Sequence, residues 1–540
     1  MSRLARATAT MSLGTVLSRG TGLLRLIAIT AALGIAEPGS IADTYNYANT
    51  APNIIYELVL GGVLTSVFVP VFVELLTREG HERAWEIASA IINVSLVALT
   101  AVAAVGVLAA PFIADFYSVD LGDSALVAKQ QQAMTLLLRL FLPQIVFYGL
   151  AAISAGFLNA HKRFGAPMYT PILNNLAVIA VFLSFRAAYG TVTLERVSTG
   201  QLWLIGAGTT GGVALMAVAQ LPFLRGLGRY RLTMSIRHPS IAKLARLSVW
   251  VIGYVIVNQI GYLVVQRLAT AEPGSYSAYV AAFTFFMLPH GLFAVSLITA
   301  LLPGMSEAAV TESWTSFRQQ LSTGIRSTIL LVLPAAIGYF VLAEPIVGLL
   351  LRNGAVSGSS VELVAGVLRI FVLGLLPFSL FQLFLRAFYS LHDTKRPFQI
   401  NCFAVALNTL VNIVLFVVFD FGVRGLAAGH AAAYSFGVVV QAVYLTRRIG
   451  GIDLRSIGRS VVRIGAAAAG MAGFVWGSWT LLEPAFDIQD RWSQLGLLLV
   501  PVVLGIGSYL GLARLLGVEE LALVRGVLAR RTKSTPRPAP

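Results

Sequence analysis

Residues 11–71, MSLGTVLSRGTGLLRLIAITAALGIAEPGSIADTYNYANTAPNIIYELVLGGVLTSVFVPV, decide the fold. They read as two apolar runs joined by a short acidic loop. Each run is long enough to cross a bilayer, for which a helix needs about 20 apolar residues. Yet the runs carry charge. Arg19 and Arg25 sit within the first, Asp43 opens the second, and Glu57 falls within the second just ahead of Gly61 and Gly62. An ionised group at bilayer depth costs about 2.5–3.5 kcal/mol on insertion scales, so such groups face a cavity, a partner or a substrate.

The rest of the chain extends the same pattern. Of its 540 residues 57% are hydrophobic and only 12% charged, against about 25% charged in soluble domains. Apolar runs recur at 11–35, 43–76, 86–114, 132–159, 168–188, 201–224, 243–268, 277–303, 318–343, 361–390, 397–419, 424–446, 459–482 and 492–516. Barrel-type alternation is absent, so the expected fold is an all-α integral membrane protein of about fourteen transmembrane helices. The run after Met11 is Gly-rich, carries arginines and is long enough to span, so it reads as a retained segment rather than a cleavable signal. One cysteine, Cys402, excludes an intramolecular disulfide.

The net charge of +15 does not point to nucleic acid, because lysines and arginines gather in alternate loops. Placing both termini in the cytoplasm puts Arg78, Arg83, Lys162, Arg163, Lys395 and Arg396 inside, with the Arg225–Arg246 and Arg447–Arg463 clusters. The opposite loops then carry Glu37, Asp115, Asp120, Glu272 and Asp420. Arg326 and Arg369, near span ends, are expected to snorkel to an interface. An internal repeat is also legible. Phe157-LNAHKRFGAP with Asn174 and Asn175 resembles Phe388-YSLHDTKRP with Asn408 and Asn412, and Leu64-TSVFVPVFVE resembles Leu297-ITALLPGMSE. A shift of six spans preserves orientation, so two parallel six-helix lobes are expected. They are 1–225 and 226–448, followed by a helix pair at 449–518 and a basic, disordered cytoplasmic tail at 519–540.

No P-loop, zinc-type histidine pair or nucleophile elbow stands at a convincing position, which argues against nucleotide-powered transport, a metal site and an enzyme, and no cofactor is expected. What remains is a cationic pocket, since arginine presents a rigid donor fork suited to phosphate oxygens. Arg19 and Arg25 are separated by about 240° around an ideal helix, so both reach one cavity only if it wraps much of the first span or the helix bends. The competing reading makes Arg19 an internal ion pair with Asp43 or Glu57 and lets Arg25 snorkel. Pro52, Gly61 and Gly62 mark the second span as a bent or broken helix.

Taken together, Ser18-Arg19 with Gly22 and Arg25, then Asp43, Pro52-Asn53 and Gly62 leading to Phe68-Val69-Pro70 resemble the amino-terminal signature of the MurJ/MviN flippases. Leu158-Asn159, Arg163-Phe164 and Pro167, Pro289 with Gly291 and Leu301-Leu302-Pro303, and Arg386-AFYS with Asp393-Thr394-Lys395 match later motifs of that family. The resemblance implies a fold of the multidrug/oligosaccharidyl-lipid/polysaccharide exporter superfamily in the bacterial cytoplasmic membrane. It implies flipping of lipid II, the undecaprenyl-pyrophosphate-linked peptidoglycan precursor, by alternating access. Arg19 and Arg25 would hold the pyrophosphate, Asp43 would gate the outer side or pair with an arginine, and Ser18 and Asn53 would be polar neighbours. Where relatives place further arginines this chain has Tyr56 or Glu57 and Thr284, so the cationic cluster is thinner, with Arg386 as a possible replacement. The last helix pair would form a groove for the polyprenyl tail, with membrane lipids and cell-wall synthesis proteins as partners. The driving force is membrane potential or a monovalent cation. Two alternatives stand beside this reading: another exporter of the superfamily, and a non-transporting scaffold for cell-wall synthesis.

Overall fold

The computed structural model describes residues 3–59, 81–119, 121–161, 163, 165–228, 230–234, 239–486 and 491–521. Among these the regular structure is helical. The first half holds α1 (Arg3–Leu33), α2 (Ala42–Val59), α3 (His81–Phe116), α4 (Ser124–Phe141), α5 (Gln144–Ala160), α6 (Gly165–Tyr189), α7 (Thr199–Val218) and the short α8 (Leu221–Leu224). The second holds α9 (Pro239–Ala269), α10 (Ser275–Pro289), α11 (Val295–Val310), α12 (Trp314–Leu351), α13 (Gly358–Leu373), α14 (Leu375–Ser390), α15 (Lys395–Ile413) and α16 (Gly422–Ile449). Then come α17 (Leu454–Leu482) and α18 (Arg491–Leu515).

Local chemistry sets the ends. Gly34, with φ +81°, closes α1, and Gly450, with φ +75°, closes α16. Ser198 and Gln201 form a capping box at α7, while Asp123 and Asp453 accept backbone N–H bonds at the starts of α4 and α17.

Among the described residues twelve helices are long and apolar enough to cross a membrane, and α13 with α14, bent by 47°, adds a thirteenth if the pair is one span. Each coincides with an expected run. The remaining expected span, 43–76, begins in α2 and continues through Gly61, Gly62, Leu64 and Pro70, which lie outside the described residues. Pro52 does not break α2, which is one helix from Ala42 to Val59, while Gly61 and Gly62, the other marks of the expected bent or broken span, lie outside the described residues. In the same turn Asn53 Nδ2 donates to the Asn49 carbonyl at 2.7 Å.

The same helix pairings occur twice. In the first half α1 packs on α6, α6 on α7, α2 on α4 and α3 on α4; in the second α9 packs on α15, α15 on α16, α10 on α13 and α12 on α13. One packing device also recurs. Asn174 on α6 lies against Gly212 of α7, and Asn412 on α15 lies against Gly429 of α16; a Cβ at either glycine would collide with the amide oxygen. Those are asparagines from the repeated stretch. The halves meet chiefly through α1 and α2 on one side and α9 and α10 on the other.

The last two helices pack on each other and on α12. Tyr509 donates to the Leu330 carbonyl at 2.7 Å, and Glu520, 1% exposed, pairs with Arg326 and accepts from Ser460. Arg326 is bound to Glu519 and Glu520, and Arg369 lies 3.5 Å from Glu344. The chain is held through Leu521, so an anchor occupies the first positions of the expected tail, and 522–540 lie outside the described residues.

Candidate functional site

A cavity of about 560 Å³ lies where α2 of the first half faces α9, α10 and α14–α16 of the second. Along α2 it is lined by Asn46, Asn49, Thr50, Asn53 and Glu57, a spacing that keeps one helix face turned to it. The facing wall presents Tyr254, Asn258, Gln259 and Tyr262 from α9, and Tyr279, Phe283 and Met287 from α10. Phe378 and Gln382 of α14, Asn401 and Asn408 of α15, and His430 and Tyr434 of α16 complete it. Among the described residues no arginine or lysine lines it, and Glu57 is its one carboxylate.

Of the expected site residues, then, Asn53 and Glu57 meet at this cavity, whereas Ser18, Arg19, Arg25, Asp43 and Arg386 do not line it. The two arginines diverge, as six residues on a helix require. Arg19 is exposed, and its guanidinium rests on Gly291, where a Cβ would stand 3.1 Å from Nε, beside His290. Gly291 belongs to a π-helical turn, His290–Ala294, between α10 and α11; such turns often mark functional positions. His290 is itself held, its Nδ1 3.0 Å from Ser379 Oγ and its ring against Phe378.

Arg25 points the other way, toward the Tyr45 hydroxyl and Tyr148. Tyr45 is 3.1 Å from Thr209 Oγ1 and packs edge-on against Phe141 and Phe182, so Arg25 approaches the interior of the first half. A single cage uniting Arg19 and Arg25 is not formed here. The Ser18 carbonyl accepts from Asn175 Nδ2 at 3.3 Å, tying α1 to α6. Arg386 is exposed, over the Tyr389 ring at 5.9 Å.

The internal ion pair proposed for Arg19 is also not found. Asp43, 5% exposed, spends both oxygens on the start of α10: it accepts from Gly274 N at 2.6 Å, Ser277 N at 2.9 Å and Ser277 Oγ at 2.6 Å. Its partners are the unsatisfied N–H groups of a helix start, an environment that suits a carboxylate better than a distant arginine does. Arg19 has no carboxylate partner among the described residues.

Glu37 reinforces the same seam. It accepts from Ser357 N at 2.7 Å and Ser357 Oγ at 3.0 Å at the start of α13, and from Ile35 N. Burial works against its charge, but these hydrogen bonds outweigh it and hold the carboxyl below the usual glutamate range. Ala355 N donates to Ala31 O at 3.0 Å, Arg186 donates to the same carbonyl at 2.7 Å, and Gly274 presses against Ala36 with no room for a side chain. The loop between α1 and α2 thus closes the two halves together at one end. The cavity begins just below. Ser277 is held by Asp43, Tyr279 to Met287 line the cavity, and Gly291 receives Arg19, all in order along one helical run.

The amides of the second half were missed from sequence. Charge in apolar runs was the signal followed, and Asn258, Gln382 and Asn401 are uncharged; their recurrence within apolar runs was the available clue.

Comparison with known proteins now bears on this architecture. A family model described as lipid II flippase MurJ matches residues 30–490. Similar relatives include a probable lipid II flippase MurJ of Vibrio cholerae, 28% identical and covering 96% of this chain and 97% of that one. A lipid II flippase MurJ of Burkholderia cenocepacia is 28% identical, covering 95% and 98%. Among solved structures, a lipid II flippase MurJ in an inward closed conformation superposes with TM-score 0.74 at 21% identity, covering 94% of this chain and 98% of that one. An inward-facing multidrug resistance MATE transporter of the MOP superfamily gives 0.65 at 14%, covering 82% and 98%. With a family model spanning both halves, the seam and the cavity, this chain belongs to the MurJ lipid II flippase family.

Proposed function

We propose that the protein carries lipid II from the cytoplasmic to the outer leaflet of the bacterial cytoplasmic membrane by alternating access. It moves the molecule without changing its covalent structure. The observation that carries this reading is a seam sealed at one end by Asp43 and Glu37 over a polar cavity, with Arg19 beyond it free of any carboxylate among the described residues. Names borne by the relatives supply the substrate. Six-helix lobes at 1–225 and 226–448 rock about the cavity, and both termini are cytoplasmic, so the sealed end faces outward and the cavity is loaded from inside. Arg19 takes a pyrophosphate oxygen, and Arg25, Ser18, Asn53 and Arg386 lie along the path. Residues 449–518 carry the polyprenyl tail, a role supported by exposed Val462, Trp476, Leu481 and Val503 on α17 and α18.

Moving two negative charges out of an inside-negative cell is favourable by about 2.3 kcal/mol per charge per 100 mV, so potential alone suffices to drive export. A lining with no arginine or lysine among the described residues favours one competing reading, a same-fold exporter of a drug or a polysaccharide-lipid. Depletion in cells separates the two. The proposal expects lipid II exposed on the outer face to fall; unchanged exposure with a loss of another exported compound contradicts it.

A further inference from the structure

We propose that Asn175 on α6 is a positioning residue for Arg19: it fixes the rotation of α1 about its own axis and so holds the guanidinium at Gly291. This inference rests on the reading of Arg19 as the group that meets the phosphates, and adds the residue that keeps it in place.

The turn that carries Arg19 is weak by composition. Ser18-Arg19-Gly20-Thr21-Gly22 holds two glycines in five residues, and glycine is the poorest helix former after proline. Neither glycine offers a side chain to key α1 against a neighbour, and a Cβ at Gly20 would meet nothing within 4 Å. Asn175 supplies the hold. Only 9% exposed, it donates from Nδ2 to Thr21 Oγ1 at 3.0 Å and to the Ser18 carbonyl at 3.3 Å. Thr21 relays the bond, its hydroxyl donating to the Leu17 and Ser18 carbonyls at 2.9 and 3.1 Å. Ser18 and Thr21, three residues apart, share one face of α1, whereas Arg19 stands about 100° from the first and about 160° from the second. Asn175 therefore grips one side of the helix while Arg19 leaves by another, toward the second half. A slip of one residue in that grip would turn α1 by about 100° and take Arg19 off Gly291.

The internal repeat separates this role from ordinary packing. The neighbouring Asn174 is seated on Gly212, and the second half repeats that seat with Asn412 on Gly429. A device present in both halves serves the fold they share. Asn175 is not repeated: the residue after Asn412 is Ile413, an apolar side chain 42% exposed. The second half ties α9 to α15 at another level, through Asn401 Nδ2 on the Tyr254 carbonyl at 3.3 Å. An amide next to the seat thus occurs in the half whose first helix carries Arg19. The far side of the contact is held as well. Gly291 belongs to the π-helical turn His290–Ala294, whose His290 Nδ1 lies 3.0 Å from Ser379 Oγ. Arg19 is set between two fixed backbones, one of them fixed by Asn175.

The test uses the full chain in lipid nanodiscs and two short-chain probes, a polyprenyl pyrophosphate and the matching uncharged polyprenol. The readout is the ratio of their dissociation constants. For the wild type the pyrophosphate is expected to bind about ten- to hundredfold more tightly, and Arg19→Ala to remove most of that preference. Asn175→Leu should lower the preference about three- to tenfold, the size of an interhelical hydrogen bond in a membrane, with polyprenol binding unchanged. Thr21→Val, which removes an acceptor from the other helix, should shift it in the same direction. Neither should lower it further once Arg19→Ala is present. The substitutions lie on different helices, so one misfolded variant leaves the other to decide, with monodispersity and thermal unfolding checked for both. An unchanged preference in a folded variant, an equal loss with Arg19 already removed, or parallel weakening of both probes overturns the positioning role. If the wild type shows no preference, or Arg19→Ala keeps it, the reading of Arg19 itself fails.

Discussion

Arg19 and Arg25 are turned to different neighbours by six residues of helix, and their consequences differ accordingly. Arg19 is exposed against glycine, free to offer its fork to an anion; Arg25 abuts a buried tyrosine network. Substituting Arg19→Ala should therefore reduce headgroup translocation about ten- to hundredfold, the equivalent of a lost charge-assisted bond, with Arg19→Lys recovering part. Measured folding should be unchanged for Arg19→Ala and reduced for Arg25→Ala. Gly291 provides an independent check. Ala there asks Arg19 to yield by a few tenths of an ångström, which an exposed side chain can do, whereas Gly291→Leu takes its place. Transport assays should find the alanine variant near wild type and the leucine variant close to Arg19→Ala. The arginines were legible because charge in an apolar run stands out; what each would touch was not, because Gly291 lies more than 250 residues from Arg19, and the Tyr45 and Tyr148 that Arg25 approaches are brought together only by packing.

At the scale of elements, the seam is a set of carboxylates on helix starts. Asp43 secures α10 and Glu37 secures α13, both from the connection between α1 and α2. Asp43→Asn exchanges acceptors for a group that must present N–H to N–H, and should cost about 0.5–2 kcal/mol, the range for a lost cap. Maleimide labelling of a cysteine at Ser275, 2% exposed in the sealed state, should rise in that variant. Glu37 adds a pH dependence whose sign follows from its lowered carboxyl. The sealed state favours the ionised form, so its contribution is full above the ordinary glutamate value and is lost as pH falls through the lowered one. Wild type should lose more thermal stability than Glu37→Gln between neutral pH and a pH well below the ordinary glutamate value. Sequence marks Asp43 as a charge that gates the outer side or pairs with an arginine; its partners are instead helix-start N–H groups far along the chain, which leave no trace in composition.

At the scale of the molecule, the helix pairings of one half recur in the other, down to an asparagine seated on a glycine in each. Span positions and the repeat were readable because apolar run length and local motifs are properties of contiguous sequence. The cavity was not, since its lining comes from six helices and, Glu57 apart, its described members are neutral. The proposed function, with Arg19 engaging the phosphates and the membrane potential driving export, is tested most directly by leaflet transfer of headgroup-labelled lipid II in proteoliposomes, for wild type and Arg19→Ala, with and without an imposed potential. Transfer by the wild type is expected, faster when the potential is negative on the loading side, and strongly reduced in Arg19→Ala. Protein-independent transfer, or equal transfer by a folded Arg19→Ala protein, would contradict it.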